Sequence, residues 1–237
     1  MASQIKISVI VPAYREEKYI HNVLDGLRAQ TFKGFETIIA MRPGGDRTGE
    51  IARSYGCRVL LVKKAGIGVA RNRGAAAARG GILVFLDADT RPSPNLLRAY
   101  YDAFARRKII AATGPIEPLE RSSKRVRMGF KFVSVVFVKA SIAVGRPSIV
   151  GLNFAVRKNA FKRVGGFDEK YATYEDWDLS LRLRREGQIA YLDDALAYTS
   201  SRRIRAWGVS GFFRYHVGNM ARYHLLKRPK EYYEPIR

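Results

Sequence analysis

Short apolar runs alternate with longer amphipathic stretches through the first half of the chain. Four runs rich in β-branched residues, each followed by turn residues, are typical of strands and cover residues 5–11, 37–41, 59–62 and 82–86. The stretches with helical periodicity cover residues 16–30, 47–55, 69–79 and 94–107, the last with Ser93 placed to cap it. This alternation predicts βαβ units around a parallel sheet, whose ligands bind beyond the carboxyl ends of the strands.

The second half of the chain has a different pattern. Residues 117–127 are polar and basic, residues 128–144 form the longest apolar run, and residues 151–192 again have the pattern of a strand, a loop and a helix. Lys131 and Lys139 interrupt the apolar run, which falls short of the roughly 20 apolar residues that a spanning helix needs. We therefore predict no transmembrane helix.

If residues 128–144 form one straight α-helix, their polar side chains share a single arc of about 160°. That arc holds Lys131, Ser134, Lys139 and Ser141, and the rest of the helix surface holds Phe130, Val133, Phe137 and Ala140. Two interpretations follow from this pattern. The segment is either a helix of the protein core or an amphipathic helix that lies in a membrane interface.

The charge balance narrows the choice of partners. Forty-three Lys and Arg residues against 21 Asp and Glu give a formal net charge of +22, which indicates nucleic acid, an anionic membrane surface or phosphorylated substrates. Residues 118–147 contain seven basic residues and one Glu, and residues 201–237 contain nine and two. The excess is therefore concentrated outside the first half. A single cysteine, Cys57, excludes an intramolecular disulfide and a cysteine-rich zinc site.

Two carboxylates directly follow the fourth predicted strand. Asp87 and Asp89 flank Ala88, so the period-2 geometry of a strand places both side chains on one side of its end. A divalent cation commonly sits between one or two such carboxylates and substrate phosphates, where it neutralises the charge on a departing diphosphate. An isolated Asp-x-Asp is more often a solvated turn, but the neighbouring motifs favour a metal site here.

The third predicted helix opens with Gly66 and Gly68, which superficially matches a dinucleotide-binding loop. Arg71 stands where such a loop has its third glycine, and no acidic residue follows at a suitable distance. NAD binding is therefore disfavoured. A helix N-terminus with adjacent arginines is still a reasonable site for an anion.

A series of motifs over residues 5–183 resembles, in the usual order, the inverting glycosyltransferases of family 2, which have the GT-A fold. The motifs are Val9-Ile10-Val11-Pro12-Ala13-Tyr14-Arg15-Glu16-Glu17, the helix from Gly68 to Gly74, Leu86-Asp87-Ala88-Asp89, Gly151-Leu152-Asn153-Phe154-Ala155-Val156-Arg157-Lys158, Gly165-Gly166-Phe167-Asp168-Glu169 and Glu175-Asp176-Trp177-Asp178-Leu179. The resemblance implies an α/β fold with a Rossmann-like, mixed or mostly parallel central sheet and flanking helices.

The resemblance also implies a role for each matching residue. Asp176 would be the catalytic base, and Glu175 or Asp178 of the same acidic cluster could replace it. The nucleotide-sugar donor would lie against Pro12, Ala13, Tyr14, Glu16, Arg42, Asp46, Arg71, Asp87, Ala88 and Asp89, with Arg71 near the base or the diphosphate. Asp89 and Asp87 would bind Mn²⁺ or Mg²⁺. Gly151, Asn153 and Trp177 would lie on the acceptor side.

The chain departs from the family pattern at the end of the second strand. Family members usually carry an acidic residue there, where the nucleotide base is recognised, whereas this chain has Met41 and Arg42. Asp46 matches the later family aspartate. The change leaves room for a guanine nucleotide with Arg42 as a neighbour of the base or phosphates. The alternative is a surface arginine in a glycine turn.

Residues 200–203 lie where related enzymes have a mobile loop near the diphosphate. Arg202 or Arg203 would then clamp the leaving group, the alternative being a solvated basic loop. The family's processive synthases carry a Gln-x-x-Arg-Trp segment and several membrane helices, and this chain lacks the glutamine before its arginines and Trp207. We therefore expect a non-processive enzyme.

These expectations describe one GT-A domain over residues 1–237, with a nucleotide-sugar half (1–115), an acceptor half (116–207) that contains the insert 128–144, and a basic aromatic tail (208–237). It would transfer a hexose, with mannose from GDP-mannose as the first choice, to a hydroxyl of a lipid or lipid-linked glycan. The start of the chain lacks the zones of a secretory peptide, so we expect a cytoplasmic protein held peripherally on the cytoplasmic face of an anionic membrane.

Three alternatives stay open. The acceptor is a polyprenyl phosphate, or the donor is a UDP-sugar. From another class, the chain is a basic nucleic-acid- or membrane-binding protein without catalysis. Nucleic acid is disfavoured because no named binding motif is present and the clustered acids would oppose an anion path.

Overall fold

The computed structural model describes residues 4–226 and places ten strands in two sheets. In chain order these strands are β1 (Ile7–Ala13), β2 (Phe35–Met41), β3 (Arg58–Leu61), β4 (Ile82–Leu86), β5 (Thr90–Pro92), β6 (Ile109–Thr113), β7 (Ile116–Pro118), β8 (Asn153–Arg157), β9 (Gln188–Tyr191) and β10 (Ala197–Thr199). The central sheet has the order β3-β2-β1-β4-β8-β6-β9, and a small sheet has the order β5-β10-β7.

Helices surround the central sheet. They are α1 (Ile20–Arg28), α2 (Thr48–Ser54), α3 (Ile67–Ala77), α4 (Leu96–Ala103), α5 (Lys124–Lys131), α6 (Val138–Ala143), α7 (Lys158–Arg163), α8 (Glu175–Leu183) and α9 (Arg202–Leu226). A π-helix (Phe132–Phe137) joins α5 to α6. Gly208 has a φ of 70° and a ψ of 163°, so α9 is two helices that meet there. Within residues 4–226, no helix combines the length and the apolar character needed to cross a bilayer.

The central sheet is mostly parallel, which confirms the predicted mixed sheet. Strands β3, β2, β1 and β4 run in one direction, and β6 and β9 are also parallel to each other. Strand β8 is reversed between β4 and β6, with Asn153 opposite Leu86. The beginning of β8 therefore lies at the same edge as the carboxyl end of β4, which brings the two halves of the chain together.

Alternation along the central strands directs side chains into two cores. On β1, Val9 and Val11 face one core and Ile10 faces the other; on β4, Val84 and Phe85 divide in the same way. Helices α1 and α4 cover the first core, and α3, α7 and α8 cover the second. Both faces of the sheet are thus buried, which explains why β4 is continuously apolar rather than alternating.

The four strands and four helices predicted in the first half are present; β4 has the predicted ends, and each of the other elements is shifted at one or both ends. The predicted capping role of Ser93 is wrong, because α4 begins at Leu96 after Asn95. Ser93 is held in a turn instead: its N–H donates to the Leu196 carbonyl, and its own carbonyl accepts from the Gln30 side chain at 2.7 Å. These contacts with other elements fix residue 93 outside the helix.

Residues 128–144 do not have the predicted single polar face, because two of its four polar residues are buried. Ser134 and Ser141 are buried, together with Phe130 and Val138. The Ser134 hydroxyl donates to the carbonyls of Phe130 (2.8 Å) and Ile116 (3.2 Å). A serine whose hydroxyl is satisfied by local carbonyls packs as a small core residue. The outward face consequently carries exposed apolar side chains among lysines: Met128, Lys131, Phe132, Val136, Lys139 and Val144.

Candidate active site

The site is built around the acid pair at the carboxyl end of β4. Asp87 and Asp89 both line one cavity of about 420 Å³, as their spacing predicts, while Ala88 between them is buried. The Thr90 N–H donates to the Asp87 carbonyl and forms a tight turn. The side chains of Asp87 and Asp89 are 25% and 14% exposed, so both carboxylates face the cavity from a largely desolvated position.

Arg71 connects the two halves of the site. It comes from the second turn of α3 and is 2% exposed, and its guanidinium donates to Glu175 Oε1 (2.7 Å), Asp87 Oδ1 (2.9 Å) and the Gly151 carbonyl (2.8 Å). Burial opposes the charged form, but the neighbouring carboxylates raise the pKa of Arg71. In the structure Arg71 lines the cavity and links these protein groups; its contact with the base or diphosphate, implied by the resemblance, stays a prediction.

Two adjacent carboxylates stand at the start of α8. Tyr174 precedes the helix in a left-handed conformation (φ 67°), and Glu175 and Asp176 form its first turn. Burial raises the pKa of both carboxyls, and repulsion between them adds to the rise for Glu175. Glu175 is ion-paired with Arg71, whereas Asp176 accepts two backbone N–H bonds, from Gly151 (3.0 Å) and Trp177 (2.8 Å).

Gly151 fits against Asp176 only because it has no side chain. A Cβ at position 151 would lie 2.5 Å from Asp176 Oδ2, closer than real Cβ contacts allow. The absence of that atom lets the Gly151 N–H reach the carboxylate while its carbonyl accepts from Arg71. The predicted acceptor-side glycine therefore fixes the position of the predicted base.

Nine predicted site residues lie outside the cavity lining. Seven are predicted donor-side residues: Pro12, Ala13, Tyr14, Glu16, Arg42, Asp46 and Ala88. The other two are Asp178 and Asn153. Asp178 forms an ion pair with Arg182 at 2.6 Å on the same helix. Asn153 is fully buried behind the site, where its side chain donates to the Ala195 carbonyl (2.8 Å) and accepts from the Tyr100 hydroxyl (2.8 Å). Trp177, in contrast, lines the cavity and packs against Phe137 with ring centroids 5.9 Å apart.

Arg202 occupies the space between two predicted donor-site acids. Its terminal nitrogens donate to Glu16 at 3.0 and 3.1 Å, and its Nε lies 3.2 Å from Asp89 Oδ2. The guanidinium also stacks over the Tyr19 ring at 4.5 Å. Burial raises the pKa of Asp89 to about 6, against the lowering effect of Arg202. Arg202 is thus the cationic partner of the Asp89 carboxylate in this structure. Arg203 lines the same cavity.

The ends of β1 and β2 carry predicted nucleotide-binding residues that lie outside the cavity lining. Pro12 and Ala13 pair with Ala40 and Met41, and the Arg42 N–H donates to the Ala13 carbonyl. The Arg42 guanidinium lies 4.5 Å from the Tyr14 ring centroid, which is cation–π geometry. A flat aromatic and guanidinium surface therefore replaces the family's acidic residue.

Asp46 organises the loops below this surface. Its carboxylate accepts from the Thr48 hydroxyl at 2.6 Å and from the Glu17 N–H at 3.2 Å. The Glu16 N–H in turn donates to Thr48 at 2.8 Å. Asp46 thus ties the loop after β1 to the start of α2 and thereby positions Glu16.

The acid pair fits a divalent cation that is completed by substrate. Within the described part of the chain, no group of three His, Cys, Asp or Glu side chains is arranged to hold a metal. Asp87 gives one oxygen to Arg71, which leaves its other oxygen and the Asp89 carboxylate directed at the cavity. Mg²⁺ and similar ions typically bind one or two carboxylates plus substrate phosphates and water. The oxygens of Asp87 and Asp89 match that pattern of metal ligands.

Sequence reasoning missed two residues of this region. Glu120 accepts from both Ser200 (2.8 Å) and Ser201 (2.9 Å) and so anchors the segment that carries Arg202. Tyr19 lies beneath Arg202. Neither belongs to a recognisable motif, and Glu120 is 80 residues from Ser200 in sequence. The one sequence signal for Glu120 is that it is the single acidic residue in the basic segment 118–147.

Solved structures with the same architecture define the class of the fold. Staphylococcus aureus TarS 1–349 in complex with UDP-GlcNAc superposes with a TM-score of 0.68 at 22% identity, over 83% of this chain and 59% of that one. Mannosyltransferase PcManGT from Pyrobaculum calidifontis, in complex with GDP-Man and Mn²⁺, gives a TM-score of 0.66 at 20% identity. The match covers 92% of this chain and 65% of that one. The fold is GT-A, as the sequence motifs predicted.

The sequence comparison identifies the family. The profile of Glycosyl transferase family 2 matches residues 8–165, more than half of the chain, and the protein belongs to that family. An uncharacterized glycosyltransferase of Haemophilus influenzae is 28% identical over 200 residues, which are 76% of this chain and 62% of that protein. Amylovoran biosynthesis glycosyltransferase AmsB of Erwinia amylovora is 28% identical over 209 residues, which are 77% of this chain and 65% of that protein. The chain thus spans about three fifths of the length of these relatives.

Proposed function

We propose that the protein is a metal-dependent inverting glycosyltransferase that moves a hexose, mannose from GDP-mannose, to a hydroxyl of a lipid or lipid-linked glycan. The observation that carries this proposal is one shared cavity whose lining includes Asp87, Asp89 and Asp176. An inverting transfer needs both a site for the departing diphosphate and a base for the acceptor hydroxyl, because the acceptor attacks the anomeric carbon as the diphosphate leaves.

Asp176 is the group best suited to act as the general base. Glu175 is neutralised by Arg71, and Asp178 is paired with Arg182 outside the cavity lining. The Asp176 carboxylate is oriented by two backbone N–H groups, and the Arg71 guanidinium, which pairs directly with Glu175, acts on it from nearby. It would accept the proton of the acceptor hydroxyl as the oxygen attacks.

The donor side is assigned to Asp89, Asp87 and the arginines. Asp89 and Asp87 would hold Mn²⁺ or Mg²⁺, and such an ion supplies charge neutralisation to the leaving diphosphate. Arg202 would leave Asp89 and donate to the diphosphate, with Arg203 close by. The stacked Arg42 and Tyr14 pair offers a flat surface for a nucleobase, and Met41 and Arg42 in place of the family's acidic residue leave room for guanine. The GDP-Man complex of PcManGT supports the same donor, whereas the UDP-GlcNAc complex of TarS supports the UDP alternative.

Calorimetric titration tests the donor and the metal together. GDP, UDP, GDP-mannose and UDP-glucose are titrated into the protein with and without Mn²⁺. We expect the guanine nucleotides to bind in the presence of Mn²⁺ and Asp89→Ala to weaken that binding by about 100-fold or more. Asp102→Ala is the matched control, because Asp102 is an exposed acid on α4. Equal binding of GDP and UDP would contradict the guanine preference, and unchanged binding by Asp89→Ala would contradict the metal role.

The pH dependence of transfer follows from the environment of Asp176. A base acts only when ionised, and burial raises the pKa of this carboxyl. The ionised fraction therefore falls at a higher pH than for a solvated Asp, whose pKa is about 3.9. We expect kcat/KM to fall with decreasing pH, and the fall to begin at a higher pH than a solvated Asp base would give. A profile that falls only near the pKa of a solvated Asp would contradict the assignment of a buried carboxyl base.

A polyprenyl phosphate acceptor is the second candidate. Arg202 and Arg203 in the cavity lining favour it, because they could bind the phosphate. A phosphate is already ionised near neutral pH and needs no general base. The two acceptors therefore differ in their dependence on Asp176.

A further inference from the structure

The catalytic cavity has two chemically different ends. Its donor end carries the acids and arginines described above. Its other end is apolar, and the helical segment of residues 124–143 supplies most of that wall together with Trp177. The apolar lining includes Phe130, Phe132, Val133, Phe137, Val138 and Trp177. A polar glycan would leave this wall without hydrogen-bond partners for its hydroxyl groups.

The apolar wall continues to the protein surface. Phe132 lines the cavity and is 55% exposed, so it stands at the mouth. Met128 and Val136 are 61% and 51% exposed and lie four residues before and after it, on the same outward face of the helix. Buried Ser134 holds the opposite face against the Ile116 carbonyl. The helix is therefore held in an orientation in which Met128, Phe132 and Val136 stay exposed. These three side chains form the apolar row.

Basic residues surround this apolar row. Exposed Lys124, Arg125, Arg127 and Lys131 share the segment with Met128 and Phe132. The sequence contains no Asp or Glu from residue 121 to residue 167. Exposed apolar side chains among cations match an interface with anionic headgroups, where the apolar groups enter the acyl boundary.

We propose that the acceptor is an amphiphilic lipid whose apolar chain enters the cavity past Phe132 and lies along Phe137 and Trp177. This inference rests on the proposed function and specifies its acceptor. The reacting hydroxyl then lies at the head of the chain, or one small polar unit away from it, rather than at the end of a long glycan. In the transfer, the acceptor oxygen bonds to the anomeric carbon as the bond to the diphosphate breaks. The hydroxyl proton goes to Asp176, and the bonding electron pair leaves with the nucleoside diphosphate.

Fluorescence quenching tests the position of the chain. The protein has two tryptophans, so the Trp207→Phe variant has Trp177 as its one tryptophan, and the tryptophan fluorescence then reports on that position. The probes are a monomeric alkyl glucoside brominated along its chain and methyl glucoside, which has the same head without the chain. We expect saturable quenching by the brominated probe and no binding of methyl glucoside. Phe132→Ser and Phe137→Ser should each weaken the binding by about tenfold.

Leu61→Ser is the matched control, because Leu61 is a similarly exposed apolar residue on β3, outside the cavity lining. It should bind the probe like the parent protein. Phe132 is exposed, so its variant is expected to fold even if Phe137→Ser does not.

Nucleotide titration of the same variants separates this inference from the proposed function. Normal nucleotide binding without quenching, or with quenching that Phe132→Ser leaves unchanged, would overturn the lipid assignment and leave the transferase intact. Quenching without any nucleotide binding would support the apolar site and overturn the proposed transfer. Quenching that the two phenylalanine variants weaken and Leu61→Ser does not, with nucleotide binding unchanged, would support both.

Discussion

Asp176→Asn is expected to lower kcat for transfer to a hydroxyl acceptor by about 10² to 10⁴-fold, the range that positioned general bases contribute. The amide can still accept from the Gly151 N–H, so the local geometry should persist while proton acceptance is lost. The measurement is single-turnover transfer at saturating donor. Donor affinity should be unchanged, because the proposed metal and diphosphate ligands Asp87, Asp89 and Arg202 are all retained.

Asp178→Asn is the comparison for this result. Asp178 is two residues away but paired with Arg182, so we expect transfer to continue with a small loss of stability. An inactive Asp178→Asn with an active Asp176→Asn would reverse the assignment of the base. An Asp176→Asn variant that transfers at nearly the parent rate would favour a phosphate acceptor, which supplies its own ionised nucleophile.

Arg71→Met is expected to lower the free energy of unfolding by about 3–5 kcal/mol and to abolish donor binding. Removing one partner of a buried ion network leaves the others charged and desolvated. Here Asp87 and Glu175 lose their shared cation, and the Gly151 carbonyl loses its donor. Urea denaturation of the two proteins measures the difference. Methionine fills part of the space that the Arg71 side chain occupies. The loss of stability should therefore come mainly from the removed positive charge and less from an empty cavity.

The pH dependence of that difference distinguishes charge from packing. Without Arg71, the remaining carboxyls can relieve their repulsion by binding protons, so the loss of stability should shrink as pH falls from about 8 to about 5. Arg98→Met is the control, because Arg98 is an exposed arginine that pairs with Asp102 at 3.6 Å. Exposed pairs contribute about 0–1 kcal/mol. An Arg71→Met variant as stable as Arg98→Met would contradict the linking role.

The sequence predicted the parts of the fold that depend on local order. Strand β4 was predicted with its correct ends, because a run of five buried residues between turns has few alternatives. The acid pair followed from that strand end and the period of two. The acidic cluster at the start of α8 was found by its motif, and both Glu175 and Asp176 lie in the cavity.

The contacts between distant segments could not be predicted from local patterns. Arg71 meets groups that are 16, 80 and 104 residues away in sequence, and no spacing rule relates them. The polar arc failed for a different reason. Helical periodicity treats a serine as polar, whereas the Ser134 hydroxyl is satisfied by two carbonyls and the residue is buried. The segment is helical as predicted, but a π-helix over Phe132–Phe137 interrupts the assumed α-helical periodicity, and serine does not behave as an exposed polar residue there.

The reversal of β8 makes acceptor choice separable from donor chemistry. The chain leaves the small sheet after β7, where the Leu119 N–H donates to the Thr199 carbonyl, and returns to the central sheet at Asn153 opposite Leu86. Residues 121–150, between the Glu120 and Gly151 anchors, thus form an excursion whose flanks are fixed by strand pairing while its interior lines the apolar part of the cavity. Such a segment can be lengthened, shortened or exchanged between relatives without changing the register of any strand. New acceptor specificities could be grafted onto an unaltered donor site through this one replaceable segment.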